Sequence, residues 1–190
     1  AELRLSKRPK LDCEEGRMHT IWVRLNAVVF FSFTVLLALS TLAAVQTMLF
    51  HDGQPVVHTL RLRELRSLRK HANIDRAMLT FDIDADLRGA FNWNVKQLFV
   101  FVVAEYATQT NPLNQVFIWD KIIEREEDAV IKQDNQFVKY ALIDQGAELR
   151  GKDVTLRLVW EQMPLTGQIL LNSGGSKSFY MPNEYTSSKR

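Results

Sequence analysis

The chain has 190 residues, a formal net charge of +2 and an apolar content of 46%. So much apolar material excludes a mostly disordered chain, and so small a charge excludes a strong overall field that would gather nucleic acid. A single cysteine, Cys13, excludes an internal disulfide and a cysteine-based metal centre, so packing alone must hold whatever folds. With a membrane segment and a short tail set aside, about 140 residues remain, enough for one domain with a real core.

Residues 1–17 are highly charged, lack a periodic pattern and begin without Met, whereas Met18 would make a natural start. They read either as an unstructured extension or gene-model artefact, or as a disordered cytosolic tail running to residue 24. Between Arg24 and His51 there is no charged residue, and 27–45 is dense in Ala, Val, Phe and Leu. About 20 such residues cross the hydrocarbon of a bilayer as a helix, which predicts a transmembrane helix over 25–50. Ser32, Thr34, Ser40 and Thr41 are compatible with it, because a helical hydroxyl bonds a carbonyl one turn back. A cleaved signal peptide is the competing reading, with Ala38-Leu39-Ser40 or Thr41-Leu42-Ala43 as cleavage sites. The stretch is longer than the usual apolar region of a signal peptide and favours an uncleaved signal-anchor. Arg24 abuts the segment while Arg61 is the nearest basic residue beyond it, which places the N-terminus in the cytosol and the remainder across the membrane.

Gly53 and Pro55 mark the start of the domain, expected over 51–190. From Val57 the apolar period becomes two, with Val57, Thr59, Arg61 and Arg63 alternating with His58, Leu60 and Leu62. The clearest strand is 79–87. Leu79, Phe81, Ile83, Ala85 and Leu87 share one face; Thr80, Asp82, Asp84 and Asp86 share the other, read as solvated or partner-facing. A short helical turn is expected within 87–95. The continuous apolar run 98–104 reads as a strand buried on both faces. Further strands are expected over 116–123, 137–143, 154–160 and 178–181, with Val154, Leu156, Leu158 and Trp160 facing inward. Asn111-Pro112, Asp144-Gln145-Gly146, Gly151-Lys152-Asp153 and Ser173-Gly174-Gly175 are turn sites, and Pro164 and Gly167 punctuate the chain. Short strands without a long helical pattern predict an all-β fold, an antiparallel β-sandwich behind one N-terminal helix.

Residues arranged for catalysis are not found. His19, His51, His58 and His71 have no metal-ligand spacing and precede the main strands, and no serine has a nucleophile-elbow setting. Asp82, Asp84 and Asp86 could bind a divalent cation, but no loop glycine or closing Glu accompanies them, and a straight strand spaces them about 7 Å apart. No cofactor or metal is expected. The basic run 61–70 lacks interleaved aromatics, which argues against nucleic acid. It reads as a charged edge strand or as a contact for anionic lipid.

Two aromatic clusters stand out, Phe91-Asn92-Trp93-Asn94-Val95-Lys96-Gln97 and Val116-Phe117-Ile118-Trp119-Asp120-Lys121. Core packing and a protein interface both account for them. With Leu79–Leu87, Leu98-Phe99, Ala104-Glu105-Tyr106, Asn114-Gln115 and Ile122, these strings make the chain resemble the subunit 3 family of the eukaryotic signal peptidase complex. The likeness runs from about Met18 to Tyr185 and takes in the anchor and the ending Met181-Pro182-Asn183-Glu184-Tyr185.

The resemblance implies a single-pass type II protein of the endoplasmic reticulum membrane with a lumenal β-domain. It implies a non-catalytic accessory subunit that supports a separate serine protease in removing signal peptides. The implied partners are the catalytic and other subunits of that complex, membrane lipids and, indirectly, nascent secretory chains. The candidate contact residues are Trp93, Asn94, Lys96, Gln97, Trp119, Asp120 and Lys121. The family often carries a glycan at Asn-Val-Thr before the late strand; here Asp153-Val154-Thr155 stands there, and the chain has no Asn-x-Ser/Thr sequon. A membrane-tethered carbohydrate-binding or adhesion sandwich is the alternative, and it needs an exposed aromatic platform beside the aspartate row.

Overall fold

A computed structural model describes residues 20–49 and 53–186. The readings of residues 1–17, Cys13, His19 and His51 lie outside them. Helix α1 (Ile21–Leu49) opens a turn earlier than predicted. Its apolar side chains are exposed all round, Phe30, Phe31, Leu36, Leu37 and Leu42 among them. A helix of that kind needs an apolar surrounding, and Ile21–Thr47 is long and apolar enough to cross a membrane. Ser32 Oγ donates to the Val28 carbonyl at 2.8 Å and Thr34 Oγ1 to that of Phe31 at 2.7 Å, which satisfies these hydroxyls within the helix.

The compact unit that begins at Thr41 contains two four-stranded antiparallel sheets. In the first, β1 (Val56–His71), β2 (Ile74–Asp86) and β5 (Val130–Phe137) lie in that order, and the short β6 (Leu142–Ile143) also pairs with β2. The second has the order β4 (Asn114–Ile123), β3 (Val95–Tyr106), β7 (Asp153–Pro164), β8 (Leu170–Tyr180). The all-β expectation therefore holds. The core draws on the predicted faces: Leu79, Phe81, Ile83 and Ala85 from β2, Leu98, Val100 and Val102 from β3, and Val154, Leu156, Leu158 and Trp160 from β7. Trp119 meets Phe81 edge-to-face, with centroids 6.1 Å apart, and ties β4 to the first sheet.

Four expectations need correction. First, β1 runs on to His71, well past the predicted alternation. Bulges between Val57 and Thr59, Leu62 and Glu64, and Leu65 and Ser67 each insert one residue. Core contacts therefore fall at Val57, Leu60, Leu62, Leu65 and Leu68, a spacing that no simple strand shows. Second, no single strand covers 137–143. The chain leaves β5 at Phe137, where Val138 N–H donates to the Leu79 carbonyl, and crosses to the other sheet, where Tyr140 N–H donates to the Ile118 carbonyl. Third, Ser173-Gly174-Gly175 is not a turn but the middle of β8, with a bulge opposite Arg157 and Leu158. Gly175 has φ +59°, and a β-carbon there would collide with Val57, so glycine lets β8 close against β1. Fourth, Thr80 and Asp82 are buried rather than solvated, Asp82 beneath the Arg61 and Arg63 side chains that pair with it. The helical turn within 87–95 is the single turn Arg88–Ala90.

At the end of the sandwich near residue 72, two buried aspartates order the loop after β6. Asp75 accepts from Tyr185 Oη at 2.8 Å and from Leu149 N–H at 3.2 Å; Asp144 accepts from Tyr106 Oη at 2.9 Å and from Glu148 N–H at 3.0 Å. Burial, then the Asp144 hydrogen bond, pushes the Tyr106 phenol far above its usual pKa.

Phe81→Ala should cost about 3–5 kcal/mol, because it leaves a cavity under Trp119. Leu113→Ala, at an exposed site, should stay within about 0.5 kcal/mol. Urea unfolding of the full chain in detergent, followed by tryptophan fluorescence, measures both.

Candidate subunit interface

Alternate residues of β3 point to opposite faces. Leu98, Val100, Val102 and Ala104 enter the core, while Phe99, Phe101 and Val103 form a separate cluster with Val159 of β7 on the outer face. The run 98–104 is thus apolar on both sides, as read, but its outer side is covered only by neighbours on the same face. Phe101 stacks against Phe99 with centroids 5.3 Å apart and meets Phe117 of β4 edge-to-face at 4.8 Å. Phe117 remains 55% exposed and Ile122, paired beside Phe99, 54%. Glu161 follows Phe99 on the other side and pairs with Leu171 of β8, also exposed.

Charges border this patch. Arg157 donates through Nε and Nη2 to Glu105 Oε2 at 3.1 and 3.0 Å, and Gln115 Nε2 donates to Glu105 Oε1 at 2.9 Å. Lys139 Nζ reaches Asp120 Oδ2 at 3.4 Å. Hydrogen bonding to Asp120 raises the Tyr140 phenol pKa. An apolar centre with a polar rim is the anatomy of a protein interface.

The candidate contact residues separate into two groups. Trp93 is 62% exposed and Lys96 is exposed; Gln97, Asp120 and Lys121 are half-buried, with Gln97 Nε2 3.2 Å from Met163 Sδ. Asn94 and Trp119 are buried and cannot themselves form a surface. Trp119 belongs to the core. Asn94 is a bracket: its Nδ2 donates to Thr47 Oγ1 and to the Thr166 carbonyl, each at 2.8 Å. Its Oδ1 accepts from Thr166 N–H at 3.2 Å, and its carbonyl accepts from Leu165 N–H at 2.7 Å. One side chain thereby fastens the β7–β8 loop to the last turn of α1.

Phe99, Phe101, Val103, Phe117, Ile122 and Val159 were not among the candidate contact residues, although Phe117 lay in one of the two aromatic clusters. The available signal was the strand 98–104 itself. A strand apolar on both faces, in a domain with no helix pattern to lie over it, leaves one apolar face for something else.

Two of the three aspartates in the row, Asp82 and Asp86, are engaged internally. Asp82 Oδ1 accepts from Asn135 N–H at 2.8 Å, and the carboxylate pairs with Arg61 at 3.0 Å and Arg63 at 3.3 Å. Asn135 presents that N–H from a left-handed conformation, φ 56°, at a bulge in β5. The Asn135 N–H, helped by the two guanidiniums, holds the Asp82 pKa below the usual carboxylate range. Asp86 is bound by Arg88, at 2.6 Å from Nη2, and its pKa falls to about 2 through the Arg88 side chain and then the Arg88 N–H. Half of the supposed aromatic platform, Trp119, lies in the core, and Asp82 lies beneath two arginines. The carbohydrate-binding or adhesion alternative therefore has no support.

A carboxylate whose folded pKa is depressed stabilises the fold above its unfolded pKa and loses that contribution as pH falls through the folded value. Stability should therefore drop between about pH 4 and pH 2. Asp86→Asn should make the drop shallower, as read by urea midpoints across that range.

A family model described as a signal peptidase subunit matches residues 18–184, spanning α1 and both sheets. The chain is 37% identical over 178 residues to signal peptidase complex subunit 3 of Gallus gallus, covering 90% of this chain and 99% of the relative. It is 37% identical over 181 residues to that of Drosophila melanogaster, with coverages of 90% and 99%. To that of Homo sapiens it is 36% identical over 178 residues, with the same coverages. A likeness of this extent reaches the membrane helix, the core and the outer face alike, and the chain belongs to the signal peptidase subunit family.

Proposed function

We propose that this chain is the non-catalytic accessory subunit of the endoplasmic reticulum signal peptidase complex, supporting the catalytic serine protease subunit as it removes signal peptides from nascent secretory proteins. The observation that carries the reading is the family match across 18–184, joined to an apolar cluster on the outer sheet face. The chain is a single-pass type II membrane protein: the N-terminal end of α1 is cytosolic, and the domain over 51–190 is lumenal. Arg24 abuts the segment, whereas the nearest basic residue beyond it is Arg61, which supports that direction.

The mechanism is positioning. A protease that cuts near the lumenal membrane surface needs a fixed height and orientation, since small displacements of reacting groups cost large factors in rate. Helix α1 sets the depth and contacts lipid. The outer face of the second sheet meets the catalytic subunit, with Phe99 and Phe101 at its centre, Phe117, Asp120 and Ile122 along its β4 edge, and Lys121, paired with the core residue Val100, bordering it. Lys96 and Gln97 extend the contact toward the membrane end, and Asn94 and Trp119 hold these elements from below. Nascent chains are met indirectly, through the protease. Covering one large apolar side chain such as Phe117 contributes about 1.5–3 kcal/mol.

In gently solubilised microsomes the chain should co-purify with the catalytic subunit, and Phe117→Asp with Ile122→Asp should abolish recovery without lowering the thermal midpoint. Unchanged recovery would remove this face from the contact. In sealed microsomes added protease should leave the C-terminal domain intact; its digestion would reverse the orientation.

A further inference from the structure

Three exposed apolar side chains lie outside the outer-face patch and are not used by it. Trp93 is 62% exposed, Leu165 65% and Ile169 54%. Trp93 precedes Asn94, and the other two flank the β7–β8 loop that Asn94 fastens to Thr47. The loop backbone is pressed against α1 at one further point. A β-carbon on Gly167, which has φ +108°, would stand 3.3 Å from Ala44 Cβ. A groove of about 230 Å³ between them is lined by Thr41, Ala44, Thr47, Pro164 and Leu170 among others.

The depth of this loop follows from the helix. About 20 helical residues cross the hydrocarbon, and the span is flanked by Arg24, a charge that stays at the bilayer edge. Twenty positions on from Arg24 is Ala44. The loop that touches Ala44 therefore sits at the hydrocarbon boundary, not above it in water. Pro164-Leu165-Thr166-Gly167-Gln168-Ile169-Leu170-Leu171 carries no charge that would forbid entry, and the Thr166 backbone is satisfied by Asn94. Trp93 has the amphipathic ring that favours the headgroup level, with the cationic Lys96 close in sequence.

We infer that Trp93, Leu165 and Ile169 form a second membrane contact, a lipid-surface keel that dips into the interface beside α1. A helix alone fixes depth but leaves a tethered domain free to tilt. Two apolar attachments joined by the Asn94 bracket remove that freedom. The occupant is lipid, because the patch is continuous with a helix segment already at the lipid boundary. The inference rests on the membrane-spanning reading of α1, which alkaline carbonate extraction tests separately.

The test uses the full chain with Cys13→Ser in phosphatidylcholine vesicles, labelled with an environment-sensitive fluorophore at Leu165→Cys, Ile169→Cys or, as control, Arg69→Cys, which is exposed near the other end of β1. The labels at 165 and 169 should show blue-shifted emission and lose intensity to acyl-chain doxyl groups, not to aqueous iodide; the Arg69→Cys label should respond to iodide alone. Iodide quenching without doxyl quenching at 165 and 169 would put the loop in water and overturn the inference. Protection from both quenchers would bury the surface against a second copy of the chain and overturn it equally. A label-free check uses Trp22→Phe protein, in which Trp93 is the remaining exposed tryptophan. Doxyl quenching of its fluorescence should be largely lost on adding Trp93→Phe, and no loss would contradict the keel.

Discussion

A sheet has two faces, and β3 is apolar on both. That constraint organises the domain. The inner face, Leu98, Val100, Val102 and Ala104, is met by the first sheet and becomes the core. The outer face, Phe99, Phe101 and Val103, has no second layer within the described residues and is left to a small cluster with Val159 and an exposed Phe117. An antiparallel sheet with one face in water ordinarily alternates apolar and polar residues. A central strand that does not alternate carries a surplus of apolar area, of the kind that a partner surface can cover.

The charged groups play a supporting part. Asp82 and Asp86 are held by Arg61, Arg63 and Arg88 and stabilise the first sheet and its exit turn. Glu105, Arg157 and Gln115 satisfy one another at the border of the outer face, so that a partner can approach its apolar centre without stripping lone charges. These pairs fix the surfaces on which they lie.

Much of the fold was legible because β2, β3 and β7 obey a period of two. Leu79, Phe81, Ile83 and Ala85 all enter the core as read. The second half of β1 was not legible, because three bulges spread its core contacts to Val57, Leu60, Leu62, Leu65 and Leu68. Strand β5 offered one deeply buried side chain, Ile131, in a polar run, so its pairing with β2 left no apolar pattern to read. Asn94 and Trp119 are buried, a placement the sequence left open between core packing and an interface. Their role depends on long-range partners, Thr47 and Thr166 for one and Phe81 for the other, that local pattern does not contain. The outer face could have been read from 98–104 by asking what covers each side of a two-faced strand.

The central claim is that the outer face of β3 and β4 is where the protease sits. A photo-cross-linking amino acid placed at Phe117 in intact microsomes measures this directly, with the exposed Arg69 as the comparison site. The account predicts that irradiation joins the probe at Phe117 to the catalytic subunit of the signal peptidase complex and leaves the probe at Arg69 uncoupled to it. Cross-links to that subunit from Arg69 and none from Phe117 would contradict it.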